Sequence, residues 1–304
     1  MSVVGPNRDR LPVLINAGGG TAKAAGQGLR GRIEQAFASA NLTIALEVHD
    51  GCDIEARARE LAGASTVVVG GGDGTLGCTA LALAGSGTAL GVLALGTRNH
   101  LAGELGVPTD LAAAATLIAE RPVRRIDLGR VNDRAFVNNA SIGLYPAMVR
   151  YREATQERRG LPKKLASIPA ALAALRRLRH HRLRLSMPGD ERQVATPMLF
   201  VGNNRYELKL GELGRRASLD EGVLSVFAVA GRGRGALVGF ALRTLIGRAD
   251  ARDFAAIGDT PDLTVSGHGR AVSIALDGEL TQLDLPLRFR SDPGALTVIA
   301  PPAA

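Results

Sequence analysis

Short apolar runs ending in turn residues alternate with longer Ala- and Leu-rich stretches through the first 130 positions. The runs lie at Leu11–Asn16 and at 42–48, 66–69 and 90–95. Runs of this length, bounded by glycine, read as strands buried on both faces. The stretches between them predict helices: one from the 17–20 turn through about Ala40, then 54–62, 75–84 and 110–120. Alternating strands and helices predict a parallel sheet covered by helices, a Rossmann-like α/β domain over residues 1–127. Arg121-Pro122 stops the last helix just before that boundary.

Beyond Asp127 the pattern becomes one of short strands separated by turns, at 135–142, 183–187, 196–202, 223–229, 263–266 and 272–276. That spacing predicts an antiparallel, β-sandwich-like second domain over residues 128–290. Helical inserts are expected at 146–180 and 235–248. A terminal segment, 291–304, carries one more apolar run at 295–300.

With 304 residues and 46% hydrophobic content the chain can bury two cores. Only 3% of it is aromatic and Trp is absent, so those cores rest on Ala, Leu and Val. Cys52 and Cys78 have no metal-ligand spacing and read as reduced thiols of a cytoplasmic protein. The N-terminus shows no signal peptide, and no run of about 18 apolar residues exists to span a membrane.

Charge is concentrated. Residues 150–184 hold 11 Lys or Arg and two acids, a net of +9, against +8 for the whole chain. Tyr151 is the one aromatic residue there and no nucleic-acid motif is present, so nucleic acid is excluded as a partner. Lys163, Lys164, Arg176, Arg177 and Arg179 flank the apolar run 165–175, a layout suited to an anionic membrane surface or to a solvated basic helix face.

Chemistry points first to the end of the 66–69 run, where the chain reads Gly70-Gly71-Gly72-Asp73-Gly74-Thr75 before a helix. Glycines let a backbone approach closely, and free N–H groups at a helix start favour phosphate. Asp73 would repel that phosphate unless a cation intervenes, which makes it a candidate magnesium or water ligand. Gly72, Gly74 and Gly77 satisfy G-x-G-x-x-G, but no acid occurs between Asp73 and Glu104, so a dinucleotide fingerprint is incomplete. No Walker motif is present either. A second glycine-ended strand follows, at Gly96-Thr97-Arg98-Asn99-His100-Leu101-Ala102.

These two turns together resemble the diacylglycerol kinase catalytic-domain family, which includes bacterial lipid kinases and sphingosine kinases. Its G-G-D-G-T matches Gly71 to Thr75, and its G-T-x-N-x-[FL]-A matches Gly96 to Ala102. Asn16, the N-N-A-S-I-G of 138–143, the D-E-G-V-L of 220–224 and the L-D-G-E of 276–279 follow in family order. The resemblance implies an ATP-dependent kinase that phosphorylates a hydroxyl of a diacylglycerol-like lipid with Mg2+. Asn16, Gly71, Gly72, Asp73, Gly74, Thr75, Thr97 and Asn99 would contact the nucleotide. Glu279 would be the base, with Asp277 and Asp73 assisting. Ser218, Glu221 and Val223 would hold a structural metal, although Glu221 stands where Asp is commoner. Read from spacing alone, Asp277-Gly278 is also an ordinary hairpin turn, and 220–224 an acidic turn before a strand.

Departures from the family pattern include Arg98 at a position that is usually small, and Val48 and His49 where a Thr is common. His100, His180, His181 and His268 form no ligand set. The resemblance further implies a terminal segment, 291–304, that returns to the first domain, and a cytoplasmic enzyme in peripheral contact with membrane, with a lipid substrate as partner; a homodimer is compatible with the sequence. Other lipids such as a sphingoid base, a soluble alcohol, an NAD kinase-like activity or non-catalytic lipid binding remain open alternatives.

Overall fold

The computed structural model describes residues 10–18, 28–97, 99–144, 146, 180–209, 212–216, 218–229 and 254–302. The chain divides into two units, residues 1–126 with 294–304, and residues 127–293.

In the first unit β1 (Leu11–Asn16), β2 (Ile44–His49), β3 (Thr66–Gly71) and β4 (Ala89–Ala94) alternate with helices. These are α1 (Gly28–Ser39), α2 (Gly51–Glu60), α3 (Asp73–Leu83), the short α4 (His100–Glu104) and α5 (Leu111–Glu120). The strands lie parallel in the order β2-β1-β3-β4, and the end of β18 (Leu287–Ile299) pairs parallel beside β4 through Thr297 and Val298. Every residue of β3 is buried, as a central strand with helices on both faces requires. On one face Val13, Ile15, Val68 and Leu93 pack with Ile33 and Phe37 of α1 and Ala114 and Ile118 of α5. The order reverses direction between β1 and β3, and sheets of this kind bind ligands beyond the carboxyl ends at that crevice.

The second strand starts two residues later than the pattern predicts. Asn41 adopts a left-handed φ of 57°, and the Leu42 N–H closes back on the Phe37 carbonyl at 2.9 Å, so Leu42 caps α1. The next helix begins at Gly51 rather than Ile54, because the Asp50 carbonyl already accepts from Asp53 and Ile54.

β5 (Val123–Val131) leads into the second unit. There β6 (Arg134–Phe136), β7 (Asn139–Gly143), β8 (His181–Met187), β9 (Asp190–Thr196), β10 (Met198–Asn203), β11 (Tyr206–Lys209) and β12 (Glu212–Arg216) follow. β13 (Leu224–Val229), β14 (Phe254–Thr260), β15 (Asp262–Gly267), β16 (Ala271–Leu276) and β17 (Glu279–Asp284) complete it before β18. One antiparallel sheet runs β14-β13-β10-β7-β16-β17; a second places β15 between β18 and β8, with β9 at the edge. Ile142, Val201, Val226 and Ile274 from the first meet Leu185, Val265, Leu287 and Phe289 from the second, a sandwich core.

The expected strand 135–142 is broken into β6 and β7, because the N–H groups of residues 137–139 turn to a carboxylate instead of a ladder. β9 is a strand that apolar alternation does not reveal: its sequence DERQVAT is mostly polar, and pairing with β8 across the 188–189 turn holds it. The terminal strand reaches back to Leu287, well before the apolar run at 295–300. Both expected helical inserts fall almost wholly outside the described residues, as does most of the basic segment. Its end is described, and Arg182 and Arg184 lie on β8.

Candidate active site and metal turn

The two glycine turns of the first unit are built against each other. A Cβ on Gly96 would lie 2.4 Å from the Gly72 Cα, and the Leu95 N–H donates to the Gly71 carbonyl at 3.1 Å. Only glycine at 96 lets the turns close this far. Gly71 has its own reason: a Cβ there would meet the Thr75 side chain at 2.6 Å. Gly72, with φ −91°, is in ordinary extended conformation and its missing side chain leaves open space, with Gly96 Cα the nearest atom at 3.4 Å. Gly74 is exposed at the start of α3 and nothing lies near its Cβ position.

Polar side chains stitch these turns to β1. Asn16, at the carboxyl end of β1, donates through Nδ2 to Thr75 Oγ1 at 2.6 Å and accepts from the Gly18 N–H at 2.8 Å. Thr75 is buried in the first turn of α3. Asp73 accepts from the Leu101 N–H at 3.1 Å through Oδ1, while its Oδ2 has no partner among the described residues. Thus Asn16, Gly71, Gly72, Asp73, Gly74 and Thr75 form one group. Thr97 sits on the adjoining turn and is exposed.

Asn99 has a different job from a free contact residue. In left-handed conformation with φ 52°, it accepts from the Gly96 N–H at 2.8 Å and donates to the Gly96 carbonyl at 3.0 Å. Its amide is spent holding the turn's shape. Arg98 lies outside the described residues. His49 ends β2 beside Asn16 in register, with its ring 2.9 Å from Glu47, which also takes a bidentate contact from Arg57. Those contacts, Arg57 first, hold the Glu47 carboxyl below its ordinary value.

In the second unit the L-D-G-E segment is a two-residue hairpin: Leu276 pairs with Glu279, and Asp277 and Gly278 have φ of 48° and 92°. The segment is thus a hairpin turn, and its aspartate is in addition held by polar contacts. The Asp277 carboxylate accepts from the N–H groups of Val137 and Asn138 at 2.7 Å and of Asn139 at 3.0 Å. Burial pushes its carboxyl up from the ordinary value, and the amide donors and the Arg216 charge pull against that. Asp277 thereby fixes the hairpin, and Glu279, first in β17, stands exposed beside it.

Around this anchor the structure adds residues that the sequence reading did not single out. Arg216 is buried, donating to the Val137 carbonyl at 2.7 Å and to Asn138 Oδ1 at 2.9 Å. The Tyr206 hydroxyl donates to the Asn138 carbonyl at 2.9 Å. Asn203, fully buried, donates to the carbonyls of Asp127 and Val137. Nothing local in the sequence marks Arg216, because its partners lie about 80 positions earlier. The N-N dipeptide at 138–139 was the visible half of the arrangement.

The acidic turn at 218–223 is closed by protein groups. Asp127 accepts from the Gly222 N–H at 2.7 Å, Asn204 Oδ1 accepts from the Glu221 N–H at 2.9 Å, and the Val223 carbonyl accepts from the Asn204 N–H at 2.8 Å. Ser218 bonds to Asp220. One Glu221 carboxylate oxygen, Oε2, is buried without a hydrogen-bond partner among the described residues; Arg205 approaches it only to 3.8 Å and bonds Asp259 at 2.8 Å. That orphaned oxygen suits a cation ligand. Among the described residues no group of three or more His, Cys, Asp or Glu is gathered for a metal.

Two family models match consecutive parts of the chain. The diacylglycerol kinase catalytic domain matches residues 10–131, and the YegS C-terminal NAD kinase beta sandwich-like domain matches residues 143–300. A Pseudomonas aeruginosa PAO1 protein named "probable lipid kinase YegS-like" is 34% identical over 246 residues, covering 79% of this chain and 78% of its own. One of the same name from Chromohalobacter salexigens is 32% identical over 204 residues, covering 66% and 64%. A crystal structure of a diacylglycerol kinase from Bacillus anthracis str. Sterne superposes with a TM-score of 0.65 at 19% identity, covering 97% of this chain and 98% of that one. The family match and these relatives put the chain in the diacylglycerol kinase catalytic-domain class of kinases. Within that class, the chain belongs to the YegS-like lipid kinase family. Among the described residues, no helix is long and apolar enough to cross a membrane.

Proposed function

We propose that this lipid kinase transfers the γ-phosphate of ATP to a hydroxyl of a diacylglycerol-like lipid. The observation that carries the nucleotide half is the closed pair of glycine turns, with an Asp73 oxygen at the start of α3 that has no partner among the described residues. The N–H groups of Asp73, Gly74 and Thr75 open α3 ahead of its first helical hydrogen bond, from Leu76 to Gly72, and with the positive end of the α3 dipole would favour a phosphate there. Asn16 and Asn99 keep that backbone in position. Asp73 fits magnesium, which when bound beside the phosphates offsets their charge. Glu221, with the Ser218 and Val223 carbonyls, would hold a second, structural cation.

Phosphoryl transfer needs a group that takes the hydroxyl proton as the new bond forms. Glu279 is exposed, carries no described partner and stands on a turn that Asp277 has made rigid. It is the base in this reading. Asp277 is too fully engaged by three N–H donors to exchange protons during turnover, so it positions Glu279. The substrate resides in membrane, and the enzyme would act at its anionic surface while remaining in the cytoplasm. Transfer of label from [γ-32P]ATP to a panel of diacylglycerols, sphingoid bases and soluble alcohols in mixed micelles tests the reading. Label in diacylglycerol alone is the expected result; label only in a sphingoid base or a soluble alcohol would overturn the substrate class.

A further inference from the structure

A cavity in the second unit lies at one end of β8, β9 and β15, away from the hairpin and the acidic turn in sequence. It has a volume of about 640 Å3, and Arg182, Arg184, Gln193, Ser266 and His268 help to line it. Arg184 lies opposite Gln193 on β9 and opposite Ser266 on β15, so one cross-strand row carries a guanidinium, an amide and a hydroxyl. Neighbouring strands are about 4.8 Å apart, close enough for all three groups to reach a single small anion. Arg182 is two residues along β8 and so on the same face, about 7 Å away.

Charge here is poorly compensated. Glu191 comes to 3.5 Å from Arg184, but both side chains are more than half exposed and such a pair is weak. No acid is paired with Arg182 among the described residues. Two guanidinium forks beside neutral donors are the chemistry that recognises a phosphate group, through paired N–H···O bonds. Both arginines are exposed on this sheet face, as are Gln193 and His268, and with the half-buried Ser266 they line one concavity open to a ligand from solvent.

We propose that this cavity is a phosphate-recognition site distinct from the glycine turns, with a phosphate ester, of a lipid headgroup or of a soluble metabolite, as its ligand. Equilibrium dialysis with [32P]phosphate, without nucleotide, tests it on the intact protein. The parent should show a class of site that Gly72→Val retains and Arg182→Gln/Arg184→Gln weakens at least tenfold. Both replaced side chains are exposed, so the double variant should melt like the parent and keep its activity on a short-chain diacylglycerol. Dihexanoyl phosphatidic acid and glycerol 3-phosphate, each below any aggregation, then compete for the labelled site. Displacement by the lipid alone assigns a headgroup site; displacement by both assigns a general phosphate-ester site. The proposal is overturned if the double variant binds phosphate as the parent does, or if Gly72→Val removes all binding. Loss of a class in Gly72→Val alone would speak to the nucleotide turn and leave these arginines without a ligand.

Discussion

The glycine turns and the Asp-Gly hairpin solve the same problem, holding polar groups still, by opposite means. The turns do it with the absence of side chains. Gly96 permits contact with Gly72, Gly71 makes room for Thr75, and what remains is bare backbone at a helix start. The hairpin does it with side chains from distant parts of the chain: Asp277 reaches the 137–139 backbone, and Arg216, Tyr206 and Asn203 brace the carbonyls on the other side. A backbone site tolerates no added atoms, whereas a side-chain site tolerates no lost hydrogen bonds. Each can be broken in its own way.

The largest effect is expected in the turns. Gly72→Val fits the fold, since its Cβ meets only the Gly96 Cα at 3.4 Å, but its methyl groups would stand where phosphate approaches. ATP binding should be abolished with the melting temperature nearly unchanged, as calorimetric titration and thermal unfolding would show. Gly96→Ala is the counterpart, because its Cβ would be forced to 2.4 Å from the Gly72 backbone. Overpacking of this kind costs about 1–3 kcal/mol, so this variant should lose stability in denaturant unfolding as well as ATP affinity.

In the hairpin the expected loss is one of stability. Asp277→Asn keeps a residue that accepts the left-handed conformation, so the turn itself survives. One carboxylate oxygen becomes an NH2 group, and at least one of the Val137, Asn138 and Asn139 N–H groups then faces a donor. Leaving such a group buried and unpaired costs about 1–3 kcal/mol, measurable by urea unfolding. An unchanged midpoint would mean that Asp277 does not anchor the hairpin.

This contrast also explains what the sequence could show. Glycine turns are contiguous, so Gly70 to Thr75 and Gly96 to Ala102 announce themselves, and the β-α alternation around them is a local pattern. Arg216 and Tyr206 act on residues far away and leave no local signal. β9 was missed for a related reason: its strand character comes from pairing with β8, while Asp190 to Gln193 read as a polar loop. The break at Val137 is invisible too, since its cause is a carboxylate at position 277.

A smaller effect separates the sandwich from the rest of the molecule. Burial, then the neighbouring His180 charge, holds His181 below its ordinary value of 6.5. As pH falls through 6.5 the unfolded chain takes up that proton before the folded one does, so stability declines and the decline levels off once folded His181 is also protonated. His181→Gln should flatten the acid side of the stability profile, below the ordinary histidine value of 6.5. A profile identical to the parent's would place the acid sensitivity elsewhere.

The proposed division of labour, in which bare backbone would hold phosphate and the hairpin would take the proton, is tested most directly by measuring Mg-ATP affinity and lipid phosphorylation in Glu279→Gln. The account predicts unaltered ATP binding and a rate lower by about 10²–10⁴-fold, the range for loss of a general base. Near-normal turnover on the preferred lipid would contradict it.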